Sequence, residues 1–206
     1  MSAGEQRHDK ISTRRIARRN QLLDIAREAF VAKGYHGVTM ALLARRADVT
    51  KPVLYDYFSS KLDLYLAVVQ CMLDDVVAAV DRALGSAETD REVVDSTVAV
   101  FFDLIDHEGT SRLALVFGGG VPSEPSVDQR VRTALSSCAS TIAERLRPHD
   151  GEPARARMLA FGLVGTSLTA ASDWHRTGMR IPKHHAVDAI STLCWDGLHG
   201  LDTRTM

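Results

Sequence analysis

The stretch from Thr39 to Lys61 constrains this chain more than any other part of it. Two helix-patterned segments stand on either side of a short break at Ala47, Asp48, Val49 and Thr50. Thr39 and Thr50 each precede such a segment, the place where a side-chain oxygen accepts a bond from the free N–H groups of a first turn. Leu42, Leu43 and Ala47 carry the apolar side of the first segment. Pro52 sits in the first turn of the second, where its missing N–H costs little. Two short helices joined this tightly form a helix-turn-helix and must cross closely. Ala44 therefore has to be small, and Val49, Leu54 and Phe58 have to be apolar to pin the second helix on the first. The exposed start of that second helix, at Thr50, Lys51, Pro52 and Val53, is then free to enter a major groove. Tyr55 and Tyr57 offer hydroxyls to phosphate oxygens, and Lys61 falls at the N-terminus of the next helix, where donors and dipole both favour an anion.

The rest of the chain keeps the helical period. No run of alternating apolar and polar residues is long enough for a strand, so the fold class is all-α. A first helix is expected from Ser12 or Thr13, with Ile16, Leu23, Ala26 and Phe30 on one stripe and Gly34 as its left-handed terminator. Ser60 caps a longer helix over 61–84. Thr89 and Glu92 make a capping box that opens a helix to His107, and a separate short helix runs from Gly109 and Thr110 to Gly118. A loop reaches Pro125, and a second capping box, Ser126 with Gln129, starts a helix to Arg147. Beyond a polar linker lie helices over 154–176 and 183–199. The spacing thus predicts nine helices in two domains: a head over 1–60 with a basic arm, and a body over 61–206.

Net charge is only −1 over 206 residues, but it is unevenly spread. Residues 1–63 hold 12 Lys/Arg against 7 Asp/Glu, and the remainder holds 13 against 19. That polarity suits a basic module facing a polyanion on a neutral-to-acidic body. The arm, with Arg7, Lys10, Arg14, Arg15, Arg18 and Arg19, reads either as a contact to nucleic-acid backbone or as a solvated tail. No apolar segment follows it, so it is not a secretory signal. Apolar runs such as Leu113 to Phe117 fall far short of the roughly 20 residues a membrane span needs. Three cysteines, Cys71, Cys138 and Cys194, are odd in number and far apart, as expected of reduced thiols in a cytoplasmic protein. The eight histidines show no metal-ligand spacing. His175 near Asp173 has no serine elbow to serve, and Gly118-Gly119-Gly120 lacks the Lys and Ser/Thr of a phosphate loop. Neither a catalytic site, a metal nor a cofactor is expected.

The string from Thr39 to Lys61, ending in Leu54-Tyr55-Asp56-Tyr57-Phe58-Ser59-Ser60-Lys61 and preceded by Ala29-Phe30 and Gly34-Tyr35, closely resembles the signature of the TetR family of transcriptional regulators. The resemblance implies a homodimer that binds double-stranded operator DNA with its head and a small-molecule effector with its body. Carried over residue by residue, the family's phosphate contacts fall on Thr39, Tyr55, Tyr57 and Lys61, and its base contacts on Lys51, Pro52 and Val53, with Ala41 beside them. Two residues depart from the pattern. Asp48 stands in the turn where the family usually has glycine, and Asp56 puts a carboxylate between the two tyrosines, where it should face solvent or Arg45 and Arg46. Phe101-Phe102-Asp103-Leu104-Ile105, Arg155-Ala156-Arg157-Met158 and Gly162-Leu163-Val164-Gly165 are further similar to the subgroup that controls fatty-acid synthesis and senses long-chain acyl-CoA.

The narrower resemblance implies a long apolar effector with a polar head. Almost wholly uncharged walls are available for it: Val98, Phe101, Phe102 and Ile105, then Leu113 and Phe117, then Phe161, Val164, Leu168 and Trp174. Arg112, Arg130 or Arg132 suits a phosphate or carboxylate head. The same walls also suit a filled core with no chamber. Small residues at Gly162, Gly165 and Ala170, which permit close approach, and Val187, Ile190, Leu193, Cys194 and Leu198 on the last helix suit a two-fold dimer bundle built from helices 154–176 and 183–199. Two other functions stay open: a drug- or small-metabolite-responsive repressor of an efflux or catabolic operon, and a helical enzyme or lipid carrier with a basic N-terminus. The second would have no need of Tyr55, Tyr57 and Lys61.

Overall fold

A computed structural model describes residues 3–117, 125–146 and 152–202, with side chains described over 13–106, 125–146 and 152–197. Every regular element among them is a helix: α1 (Ala3–Lys33), α2 (Met40–Arg46), α3 (Lys51–Tyr57), α4 (Lys61–Leu84), α5 (Asp90–Phe117), α6 (Pro125–Arg145), α7 (Pro153–Arg176) and α8 (Lys183–Asp202). The described residues thus hold eight helices where the sequence predicted nine. The two segments expected on either side of Gly109 are one helix, α5. A glycine in a helix interior costs about 1 kcal/mol, too little to break a helix with good formers on both sides.

Helix starts moved for equally plain reasons. α1 begins at Ala3 rather than near Ser12. Neither proline nor glycine interrupts residues 5–13, so nothing forces a start there. α6 takes Pro125 as its first residue, which makes Ser126 part of the helix and not its cap. Thr50 holds the N-cap position of α3 without a side-chain capping bond, while the caps at Ser60 and Thr89 form as read. Ser60 Oγ accepts from the amide of Asp63 at 3.0 Å. Thr89 and Glu92 exchange bonds, the Thr89 hydroxyl accepting from the Glu92 amide at 3.2 Å and the Glu92 carboxylate accepting from the Thr89 amide at 3.1 Å. Gly34 takes φ +65° at the end of α1, its amide donating to Phe30 O at 2.8 Å.

The chain falls into two compact units. One gathers the chain through Cys71 with the end of α5 and the start of α6; the other takes Met72–Ala114 and the residues from Asp128 onward. The change-over lies inside α4. In the first unit Leu23, Ala26 and Phe30 of α1, Leu43 of α2, Leu54 and Phe58 around α3, and Leu64 and Tyr65 of α4 are buried. In the second, Val98, Phe101, Phe102 and Ile105 of α5, Ile142 of α6, and Ala160, Leu163, Val164 and Trp174 of α7 are buried. Each large side chain withdrawn in this way contributes roughly 1.5–3 kcal/mol.

A tight turn joins α7 to α8, with Gly178 at φ +84° and Met179 at +53°. Trp174 Nε1 donates to Ile181 O across it at 2.7 Å. At the start of α8, Lys183 Nζ donates to Asp103 and Asp106 of α5, 2.9 Å to each. No helix among the described residues is long and apolar enough to cross a membrane.

Candidate nucleic-acid interface and effector domain

The turn between α2 and α3 closes through its backbone. Ala47 N donates to Leu43 O at 2.9 Å and Val49 N to Ala44 O at 3.0 Å. Asp48 stands between them with φ +51°. The left-handed geometry that glycine supplies at no cost is thus met by aspartate, one of the few other residues that visit it. Ala44 is buried, and Leu54 and Phe58 are almost wholly buried, as the crossing of two short helices demands.

What remains outside is the start of α3. Thr50, Lys51, Pro52 and Val53 are all exposed, Val53 at 37%. Thr50 occupies the N-cap position but its side chain makes no capping bond, so its hydroxyl is not consumed by the helix. Thr39 differs: its Oγ1 accepts from the amide of Leu42 at 3.2 Å. A hydroxyl that accepts still has its own proton to donate outward. Ala41 and Tyr55 are exposed and Tyr57 is half-buried. Asp56 faces out, as expected of a carboxylate that must avoid phosphate.

Lys61 is placed differently from the rest. It is half-buried, and its Nζ donates to the carbonyls of Tyr35 and Val38, 3.0 Å to each, lying 4.1 Å from the centre of the Tyr35 ring. The described part of the arm is helical and leans on the motif. Arg18 donates to Gln21 Oε1 at 2.6 Å and to Ala47 O at 3.3 Å, while Arg15 lies over the Tyr57 ring and Arg19 over Phe58. The sequence reads these arginines either as contacts to nucleic-acid backbone or as a solvated tail. Apart from Gln21, their partners are rings and a carbonyl distant in the chain, for which the sequence carries no signal.

In the second unit Val98, Phe101, Phe102, Ile105, Val164 and Trp174 are buried and Leu168 is half-buried. Phe102 and Trp174 meet with ring centres 5.5 Å apart. Phe161 does not join them. It is 39% exposed, beneath the Arg157 guanidinium at 5.3 Å. The buried face of α7 runs through Ala156, Ala160, Leu163, Val164, Ser167, Ala171 and Trp174, and Phe161 follows Ala160 by one residue, a turn of about 100° away from it. The candidates Arg112, Leu113 and Phe117 belong to α5, but their side chains lie outside the described residues. Arg130 is half-buried, and Arg132 is exposed with a bond to Gln129 at 3.0 Å.

Two buried hydroxyls went unnoticed in the sequence. Thr97 Oγ1 on α5 and Ser191 Oγ on α8 make no hydrogen bond, although Thr97 is fully buried. Of the cysteines, Cys138 is buried and its thiol is pushed up to about 11, first by desolvation and then by Asp81. Cys71 and Cys194 are half-buried. Among the described residues no group of three or more His, Cys, Asp or Glu is placed to hold a metal ion.

On the outer side, α7 and α8 share an apolar face. Met158 is 66% and Leu193 63% exposed, and between them lies a hollow of about 360 Å³ floored by Gly162, Leu163 and Gly197. A Cβ added at Gly162, Gly165 or Gly197 would meet nothing within 4 Å.

Two short helices across a closed turn, with the first residues of the second helix bare, define a helix-turn-helix DNA-binding module attached to a helical body. Residues 22–68 match the family model described as bacterial regulatory proteins of the tetR family, and residues 90–197 match the tetracyclin repressor-like C-terminal domain. The chain belongs to the TetR family of transcriptional regulators. It is 40% identical over 185 residues to the HTH-type transcriptional activator FasR of Mycolicibacterium smegmatis, covering 89% of this chain and 84% of that one. Its fold is similar to that of the regulator FadR from Bacillus subtilis, solved in complex with stearoyl-CoA, with TM-score 0.67 and 18% identity over 84% of this chain and 96% of that one. The fatty acid degradation regulator FadR from Bacillus halodurans gives TM-score 0.69 at 18% identity, over 86% and 94%. Membership in a family of DNA-binding regulators sets aside the enzyme and lipid-carrier reading.

Proposed function

We propose that this regulator works as a cytoplasmic homodimer whose grip on operator DNA is set by a long-chain acyl-CoA. Carrying the DNA half is the bare start of α3. Lys51, Pro52 and Val53 read base edges there, Thr50 and Ala41 flank them, and Thr39, Tyr55 and Tyr57 hold phosphates. Similarity to FasR, and a fold shared with a FadR that holds stearoyl-CoA, support the choice of effector. The aromatic and aliphatic interior of the second unit, with Phe101, Phe102 and Trp174 at its centre, suits an acyl chain once the side chains part. Arg130 or Arg132 at the surface of α6 suits the anionic head.

Dimerisation through the apolar face of α7 and α8 gives the effector its leverage. Two heads must meet half-sites about 34–36 Å apart, one turn of DNA, and an effector that binds another head separation better shifts the population away from DNA or toward it. Fluorescence anisotropy with a labelled duplex from upstream of its own gene tests the reading. Specific binding that changes at least about tenfold with stearoyl-CoA is expected, a coupling of the usual allosteric size. No specific binding, or binding indifferent to the acyl-CoA, contradicts it.

A further inference from the structure

Three arginines of α1 lie against the helix-turn-helix, and each meets it differently. Arg18 is half-buried and spends its fork inside the protein, donating to Gln21 Oε1 at 2.6 Å and to Ala47 O at 3.3 Å. Ala47 is the C-cap of α2, so Arg18 ties α1 to the turn. The guanidinium of Arg19 stands 5.1 Å from the centre of the Phe58 ring, which is almost wholly buried, and so covers one of the pins of α3. Both belong to the packing of the head.

Arg15, about one turn earlier on the same helix, differs from both. It is exposed, and its guanidinium stands 5.9 Å from the centre of the Tyr57 ring. Its N–H groups meet no hydrogen-bond or ion-pair partner among the described residues. Attraction to a ring uses the charge of a guanidinium and none of its five donors. The ring beneath it is that of a residue proposed above to hold a phosphate, so a hydroxyl and a guanidinium come to one place at the end of α3. We propose that Arg15 and Tyr57 form a clamp on a single phosphate of the operator backbone, Arg15 being a DNA ligand supplied from α1 rather than from the helix-turn-helix. The proposal rests on the DNA-binding role of the motif and is independent of which effector the body takes.

A backbone phosphate offers two charged oxygens, which suits a hydroxyl on one and a guanidinium fork on the other. Arginine fits this place better than lysine, because its plane rests on an aromatic ring while the fork stays available. Resting there also holds a long side chain that would otherwise have to be ordered when DNA binds. Arg18, three residues further along and bonded to Ala47, fixes the stretch of α1 from which Arg15 projects.

Salt dependence and a double-mutant cycle test the clamp. Affinity of the full chain is measured at several salt concentrations on the duplex from upstream of its own gene and on a scrambled duplex. Arg15→Gln is expected to flatten the slope of log K against log salt by about one unit and to weaken both duplexes about tenfold at low salt, with the melting temperature unchanged. Tyr57→Leu removes the hydroxyl and the ring together, so adding Arg15→Gln to it should cost no more than about twofold further. An unchanged slope in Arg15→Gln overturns the proposal. So do losses that multiply in full in the double variant, since two independent contacts would give that result. A wild type with no specific binding overturns the DNA-binding reading of the motif together with the clamp, whereas a wild type that binds beside an Arg15→Gln variant of equal slope overturns the clamp alone.

Discussion

The amide of Val49 donates to the carbonyl oxygen of Ala44 at 3.0 Å, closing the turn on which the recognition helix is carried. Between them Asp48 is held at φ +51°, where a Cβ is strained and a short polar side chain is merely tolerated. Asp48→Gly should therefore stabilise the head by about 0.5–1 kcal/mol, and Asp48→Val, branched at Cβ, should destabilise it by about 1–2 kcal/mol. Thermal melts of the two variants should move in opposite directions. A lower melting temperature for the glycine variant would show that the Asp48 side chain contributes something the backbone does not.

Thr97 places a hydroxyl with no partner in the core of α5. Thr97→Val keeps the shape and removes the unsatisfied group, so it should raise stability by about 1 kcal/mol in urea denaturation at constant m-value. A loss of stability would mean that the hydroxyl is satisfied in solution.

On the DNA side, the two kinds of contact should respond differently. Lys51→Ala should relax sequence preference, costing about 1–3 kcal/mol on the operator and little on unrelated DNA. Tyr57→Phe should weaken binding to every sequence by a similar factor, since a phosphate carries no base identity. Competition binding with operator and scrambled duplexes distinguishes them. Identical profiles for the two variants would refute the assignment of α3.

Leu193 stands 63% exposed beside the hollow over Gly162 and Gly197. Leu193→Glu places a carboxylate on that face twice, once from each protomer of a two-fold dimer. Sedimentation should show the wild type as a dimer and the variant as a folded monomer that binds operator weakly. A variant that remains dimeric would move the interface elsewhere.

Much of the head was legible in the sequence because short-range rules govern it. A cap at Thr39, small Ala44, and pins at Leu54 and Phe58 follow from how two short helices must cross, and the structure puts each where the pattern required. Asp48 was readable as a departure, and its positive φ is the physical answer to it. The carbonyl partners of Lys61 were not legible. Its place at the start of α4 suggests an anion, while its carbonyl partners lie 26 and 23 residues upstream, beyond any spacing rule. In the body, Phe161 falls off the buried stripe because hydrophobicity alone does not fix a helix face; the stripe through Ala160, Leu163 and Ala171 is set by small residues as much as large ones. Gly109 misled in the other direction, as a stop signal that one helix overrides.

The most direct measurement is the effect of acyl-CoA chain length on operator affinity, taken from four to eighteen carbons at fixed salt. Each buried CH₂ contributes about 0.8 kcal/mol, so the concentration that half-shifts DNA binding should fall steeply with length and level off once the interior is filled. That profile is the predicted result. A response flat with chain length, or none at any length while operator binding persists, would contradict the acyl-CoA reading and leave a DNA-binding regulator with a different effector.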